Sequence, residues 1–173
     1  GGHNRLNAAA AAHAALAAGA TREGCLRALR DFRPLPHRLE TVAERDGILC
    51  VDDSVSTTPE SAAAAVGAFR EPVILLTGGR DKGNDWRPLL EAARTAKAVV
   101  AYGETGPALK RAMPFARLET DLDRAVRAAF ELAGPGDVIL LSPGFASFDQ
   151  FPGFDARGDR FRELALTGRP TAR

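Results

Sequence analysis

Two cysteines in 173 residues, Cys25 and Cys50, are too few for a disulfide framework, and they form neither a CxxC pair nor a Cys/His metal spacing. Both read as small buried apolar side chains, which fits a reducing compartment. An excess charge of one sign is also missing. Lys and Arg number 23 against 22 Asp and Glu, a net charge of +1. That is not the basic footprint of a nucleic-acid binder. The arginines alternate with acids, as in Asp121-Leu-Asp-Arg-Ala-Val-Arg, the pattern of a solvated helix face. No stretch approaches the ~18 apolar residues of a membrane span. The Ala-rich run from Ala8 to Ala20 is broken by His13 and only weakly hydrophobic, and Gly1-Gly-His-Asn-Arg does not read as a signal peptide. Neither a membrane nor a nucleic acid is expected as partner. There is no Walker phosphate loop, no GxGxxG, no GxSxG elbow and no HExxH. His3, His13 and His37 offer no convincing triad, and His13 reads as structural.

What is present is ordinary globular material, 45% apolar and 26% charged, long enough to bury a core. Asn7 to Ala18 reads as a helix ended by Gly19. A second helix follows Thr21 as N-cap and runs through Phe32 until Arg33-Pro-Leu-Pro stops it. Beyond Pro36 the character changes. Strands are predicted at Leu39–Arg45 and Ile48–Val51 around an Asp46-Gly47 turn. After Pro59 helices alternate with strands at Pro72–Leu76, Ala98–Tyr102, Phe115–Leu118 and Val138–Leu141. The helices cover Trp86–Arg94, Thr105–Ala112, Asp121–Leu132 and Ala156–Leu166. Nearly continuous apolar strands separated by helices predict an α/β fold with a mostly parallel sheet covered on both faces. The boundary falls near Pro34–His37. The first two helices have an apolar face but no strand partner, so residues 1–35 are read as the end of a preceding domain and residues 36–173 as the α/β domain.

Ligands of open α/β sheets bind beyond the carboxyl ends of the strands. That rule selects four loops: Asp52-Asp-Ser-Val-Ser-Thr-Thr, Thr77-Gly-Gly-Arg-Asp-Lys-Gly, Tyr102-Gly-Glu-Thr-Gly and Ser142-Pro-Gly-Phe-Ala-Ser-Phe-Asp. Their hydroxyls and amides suit a small anion. Lys82, the only lysine among them, is either a carboxylate or phosphate contact or a surface lysine capping a turn. Ser147 is either an anion contact or the N-cap of a short helix, Asp53 a ligand contact or a turn residue. Thr57 and Ser54 are ligand contacts or local hydrogen-bonders.

The same loops, with the segments Gly2-His-Asn-Arg-Leu-Asn-Ala-Ala-Ala-Ala, Leu35-Pro-His-Arg-Leu-Glu, Asp53-Ser-Val-Ser-Thr, Gly78-Gly-Arg-Asp-Lys-Gly and Leu141-Ser-Pro-Gly-Phe-Ala-Ser-Phe-Asp-Gln-Phe, followed by Phe154 and Arg157-Gly-Asp, resemble the carboxyl-terminal part of the Mur ligase family. The last segment resembles the D-glutamate-adding branch above all. The resemblance spans nearly the whole chain. It implies a Rossmann-like domain over residues 36–173, preceded by two helices left over from the central ATP-binding domain over residues 1–35. It also implies a cytoplasmic enzyme, monomeric when full length, that uses ATP and Mg2+ to join D-glutamate to UDP-N-acetylmuramoyl-L-alanine through an acyl phosphate in peptidoglycan precursor synthesis.

By position, the resemblance assigns Asn4 and Asn7 to the nucleotide near adenine, Arg38 to ATP, and Asp53 to the ribose hydroxyls. Thr57, Lys82, Ser147 and the backbone around Phe148 and Phe154 match positions that hold the two carboxylates of D-glutamate. No catalytic residue and no metal ligand is assigned to this stretch, so the chain alone is expected not to ligate. The chain departs from the family at Val55, where a lysine is usual, at Ser56 and Thr58 (Ala and Asn), and at Gly144 and Phe145 (Ala and Cys). Two other readings compete. One is a sister ligase adding another amino acid, such as a diaminopimelate adder, whose Asp-Asn-Pro-Arg motif is missing, or a folylpolyglutamate synthase-like enzyme. The other is a non-catalytic anion-binding α/β module.

Overall fold

The structure, a computed structural model, describes residues 2–32 and 34–167, with side chains from residue 6 onward. The chain divides into two compact units, Gly1–Leu35 and Pro36–Arg173.

In the first unit the alanine run forms helix α1 (Gly2–Ala17), and Gly19 turns the chain with φ of 92°. Helix α2 (Arg22–Asp31) starts where the Thr21 hydroxyl accepts the Gly24 amide at 3.1 Å. No residue of α2 is buried, and Leu26, Leu29 and Phe32 are exposed.

The second unit opens with a hairpin. Strand β1 (Glu40–Arg45) pairs antiparallel with β2 (Ile48–Asp52), with a register shift between Thr41 and Ala43. The turn residues Asp46 and Gly47 both have positive φ, 52° and 73°, as a primed two-residue turn requires. Thereafter come α3 (Pro59–Val66), β3 (Val73–Gly78), α4 (Arg87–Ala93), β4 (Ala98–Tyr102), α5 (Gly106–Ala112), β5 (Arg117–Leu118), α6 (Leu122–Leu132), β6 (Val138–Leu141) and α7 (Phe154–Thr167). Helix starts follow local chemistry. Thr58 and Ser61 form a capping box ahead of Pro59, and the Asp121 carboxylate accepts the Arg124 amide at 2.9 Å.

The six strands lie in the order β1-β2-β6-β3-β4-β5, and all but β1 run parallel. Strand residues alternate between two cores. Ile74, Leu76, Ile139 and Leu141 pack beneath α6 and α7, with Phe130 and Phe161. Val73, Leu75, Val138 and Leu140 pack beneath α3, α4 and α5, with Leu89 and Leu109. Burial on both sides explains why these strands read as unbroken apolar runs. Among the described residues no helix is long and apolar enough to cross a membrane.

Candidate functional site at the carboxyl end of β6

Strand β6 lies between β2 and β3, whose chains leave toward α3 and α4 on one face of the sheet. The chain leaving β6 passes instead to α7 on the other face. This divergence opens the sheet at the carboxyl end of β6, the place where doubly wound sheets hold ligands. The loops after β2, β3, β4 and β6 therefore share one edge, as the parallel registers dictate.

Close backbone contacts knit these loops together. Gly78 and Gly79 have φ of 149° and 136°. A side chain at Gly78 would overlap the Tyr102 carbonyl, and one at Gly79 the Ala146 carbonyl, so glycine is required at both. The Arg80 amide donates to the Ala146 carbonyl at 2.8 Å, and the Ala146 amide donates back at 3.0 Å. The Arg80 guanidinium pairs with Glu104 at 3.0 Å, and the Glu104 amide donates to Asp149 Oδ2 at 3.0 Å.

The two acids at the end of β2 face opposite ways. Asp53, 2% exposed, accepts from the Ser142 hydroxyl at 2.7 Å and the Leu39 amide at 3.2 Å. Burial pushes its carboxyl up, while these bonds and the nearby Arg38 charge oppose that shift. Asp52 is fully buried. It accepts the Ser54 amide at 2.9 Å and lies 2.7 Å from His37 Nδ1. Burial raises its carboxyl as well, against the His37 and Ser54 bonds. His37 and Leu39 flank Arg38 with φ of 61° and 45°, an unusual backbone for residues with side chains. The Val55 amide, donating to the His37 carbonyl at 3.2 Å, ties that segment to the β2 loop.

The residues singled out in the sequence are placed as follows. Asp53, Thr57, Lys82, Ser147, Phe148 and Phe154 all belong to the loops of this edge or to the first residue of α7. Thr57 is half-buried and Ser147 buried, whereas Phe148 and Phe154 are exposed. The Phe154 ring stands edge-on to His37, with centroids 6.1 Å apart. Ser147 does not cap a helix. Its carbonyl closes a turn by accepting the Gln150 and Phe151 amides, and the next helix begins only at Phe154. Lys82 is exposed and, among the described residues, has no side-chain partner. Arg38 is exposed beside Asp53. Asn7 is exposed on α1 in the other unit, and the Asn4 side chain lies outside the described residues.

Sequence reasoning overlooked His37, Asp52, Ser142 and Arg157 as site builders. Paired acids at a strand end were the available signal for Asp52, because alternation must send one of them inward. Nothing in the sequence marks Arg157, one of three arginines on α7, as 1% exposed where Arg160 and Arg162 are half-buried.

His37, Glu40 and Asp52 cluster closely enough to suggest a cation site. The bonding argues against it. His37 Nδ1 is engaged by Asp52, and Glu40 Oε2 accepts both the His37 amide at 3.0 Å and Arg162 Nη2 at 2.9 Å. Both groups are thus already engaged by protein partners.

Residues 37–145 match the family described as Mur ligase, glutamate ligase domain. The chain is 44% identical over 171 residues to the UDP-N-acetylmuramoylalanine–D-glutamate ligase of Rubrobacter xylanophilus, covering 95% of this chain and 39% of that protein. It is 45% identical over 167 residues to the ligase of the same name from Geobacillus kaustophilus, covering 93% and 37%. The chain thus spans about two fifths of the length of these relatives. Its fold resembles that of MurF from Acinetobacter baumannii, with a TM-score of 0.72 at 19% identity over 97% of this chain and 38% of that one. UDP-N-acetylmuramate–alanine ligase MurC from Thermotoga maritima gives 0.68 at 18% identity, over 95% and 38%.

Proposed function

The chain belongs to the Mur ligase family, and on that premise we propose that it is the amino-acid-binding part of an ATP-dependent ligase adding D-glutamate to UDP-N-acetylmuramoyl-L-alanine in peptidoglycan precursor synthesis. The observation that supports this reading is the set of loops at the carboxyl end of β6. Hydroxyls and one unengaged lysine stand there among closely packed glycines. Arg80, the other cation of the β3 loop, is paired with Glu104, and Val55 stands where the family usually has lysine. Among the described residues Lys82 is therefore the unpaired cation of the β3 loop, available to a carboxylate.

In the proposed reaction ATP phosphorylates the alanyl carboxylate, giving an acyl phosphate and ADP. The D-glutamate amine attacks the acyl carbon. A C–N bond forms, the C–O bond to phosphate breaks, phosphate leaves, and the amine gives up a proton to water. Lys82, Thr57, Ser147 and the backbone at Phe148 and Phe154 hold the two carboxylates of the incoming amino acid. A cation and hydroxyl donors suit them, and fixing both ends sets the amine beside the acyl carbon, a proximity effect. Arg38 addresses the ATP phosphates, Asp53 accepts from the ribose hydroxyls, and Asn4 and Asn7 lie near adenine.

Residues 1–35 are read as the end of a central ATP-binding domain, and residues 36–173 as the domain that closes on it. Mg2+ accompanies ATP, and no ligand for it is assigned to this chain. The reaction belongs in the cytoplasm, where ATP is available, and the full-length enzyme is read as a monomer.

The test is phosphate release by the full-length protein with ATP, Mg2+ and UDP-N-acetylmuramoyl-L-alanine, comparing D-glutamate, L-glutamate and diaminopimelate. Release is expected with D-glutamate. Lys82→Ala should lower kcat/KM for D-glutamate about ten- to hundredfold, the worth of one charged hydrogen bond. Release with another amino acid would move the chain to a sister ligase. No release with any of them would refute the proposal.

A further inference from the structure

The proposed roles divide the site into a nucleotide side, Arg38 and Asp53, and an amino-acid side, Lys82, Thr57, Ser147, Phe148 and Phe154. Different buried side-chain hydrogen bonds hold the two sides. Asp53 is held by the Ser142 hydroxyl and the Leu39 amide. Lys82 apart, the amino-acid side converges on Arg157, from the first turn of α7. Its Nε donates to Ser54 Oγ at 3.0 Å, Nη2 to the Ser54 carbonyl at 3.0 Å, and Nη1 to the Phe145 carbonyl at 3.1 Å. Ser54 Oγ passes the constraint on, donating to the Phe154 carbonyl at 2.7 Å.

One planar guanidinium thus fixes two other backbone segments and, through Ser54 Oγ, the start of its own helix. They lead to Thr57, to Ser147 and Phe148, and to Phe154 itself. Burying a cation is costly unless its donors are satisfied. Here every donor that makes a bond points at a loop carbonyl or hydroxyl, and the acids Asp149 and Asp52 act on it only through longer-range attraction. The buried Tyr102 hydroxyl lies beside the guanidinium. An arginine so arranged sets loop geometry, a task for which its rigid fork is suited and a lysine is not.

We infer that Arg157 is the positioning residue of the amino-acid subsite, acting directly and through Ser54, and that the nucleotide subsite is positioned separately through Ser142. This rests on the D-glutamate reading above.

The experiment measures KM for D-glutamate and for ATP in the full-length ligase, with thermal midpoints recorded for each variant. Ser54→Ala cuts the relay to Phe154 and removes the acceptor of Arg157 Nε, leaving the guanidinium its two carbonyl partners. It should raise the D-glutamate KM about tenfold, the equivalent of one hydrogen bond, and leave the ATP KM within about twofold. Arg157→Lys keeps the charge but loses the fork and should raise the D-glutamate KM further. Ser142→Ala should do the reverse, raising the ATP KM and sparing that for D-glutamate. Should Arg157→Lys not fold, Ser54→Ala decides alone. Parallel changes in both constants, or a lowered thermal midpoint with an unchanged D-glutamate KM, would overturn the inference. Failure of the wild-type ligase to use D-glutamate would instead overturn the functional proposal, and it would be seen before any variant was made.

Discussion

Gly158 shows how tightly single residues are committed beneath the site. The His37–Asp52 pair packs directly on its Cα, and a methyl group there would overlap His37 Nδ1 and crowd Asp52 Oδ2. Both neighbours are buried and hydrogen-bonded, so neither can move aside freely. Gly158→Ala should therefore destabilise the protein by about 2–3 kcal/mol, as overpacking a rigid site does, despite a helical φ/ψ that favours alanine. A shift of the urea midpoint at constant m checks this, and an unchanged midpoint would contradict it. At this scale the sequence was partly legible. The loops that carry Asp53, Thr57, Lys82 and Ser147 stood out because small polar residues cluster at strand ends, and they do lie along one edge of the sheet. Arg157 and His37 did not stand out, since their importance lies in burial, and burial of a charged residue is decided by what packs over it.

Elements were most legible where local and tertiary signals agree. Strands β4 and β6 have the expected limits, because an apolar run covered on both faces is bounded by polar residues or glycine. Strand β3 runs on through Thr77 and Gly78, which looked like loop. Their pairing is completed from another segment: Thr77 Oγ1 and the Gly78 amide both donate to the Pro143 carbonyl, at 2.8 and 3.0 Å. Helix α7 starts at Phe154, before the expected Ala156, at a point held by the Ser54 hydroxyl rather than by a local cap. The strand order, with β6 inserted between β2 and β3, is a long-range result that no local pattern encodes.

At the opposite end of the sheet, Lys97 ahead of β4 pairs with buried Asp137 ahead of β6, bridging the start of β3. Burial works against ionisation of Asp137, but the Lys97 ammonium and the Gly134 amide outweigh it and hold the carboxyl below its ordinary value of 3.8. The folded chain thus binds this proton more weakly than the unfolded chain. The resulting stability is present in full above the ordinary value and is lost as pH falls through the lowered one. Lys97→Met should cost about 1 kcal/mol at neutral pH, a figure kept small by the lysine's solvent exposure. It should also flatten the acid dependence of the urea midpoint below the ordinary carboxylate value. An unaltered acid limb would contradict this assignment.

For the molecule as a whole, two cores on either face of one sheet support a binding edge, and the sequence carries no phosphate-loop motif. The chain by itself is accordingly expected to form no ADP from ATP with both other substrates present, and a coupled assay showing turnover would contradict that division of labour. The fold class was legible from the alternation of strand and helix, and the family from the order of four loops. The central claim, that the edge at β6 holds D-glutamate, is tested most directly by titrating D-glutamate into the isotope-labelled chain and following its backbone amides by NMR. The account predicts the largest shifts at Thr57, Lys82, Ser147, Phe148 and Phe154, with weaker effects from L-glutamate. Shifts centred on the groove at the far end of the sheet, near Phe69, Arg70 and Lys97, or no shifts at all, would contradict it.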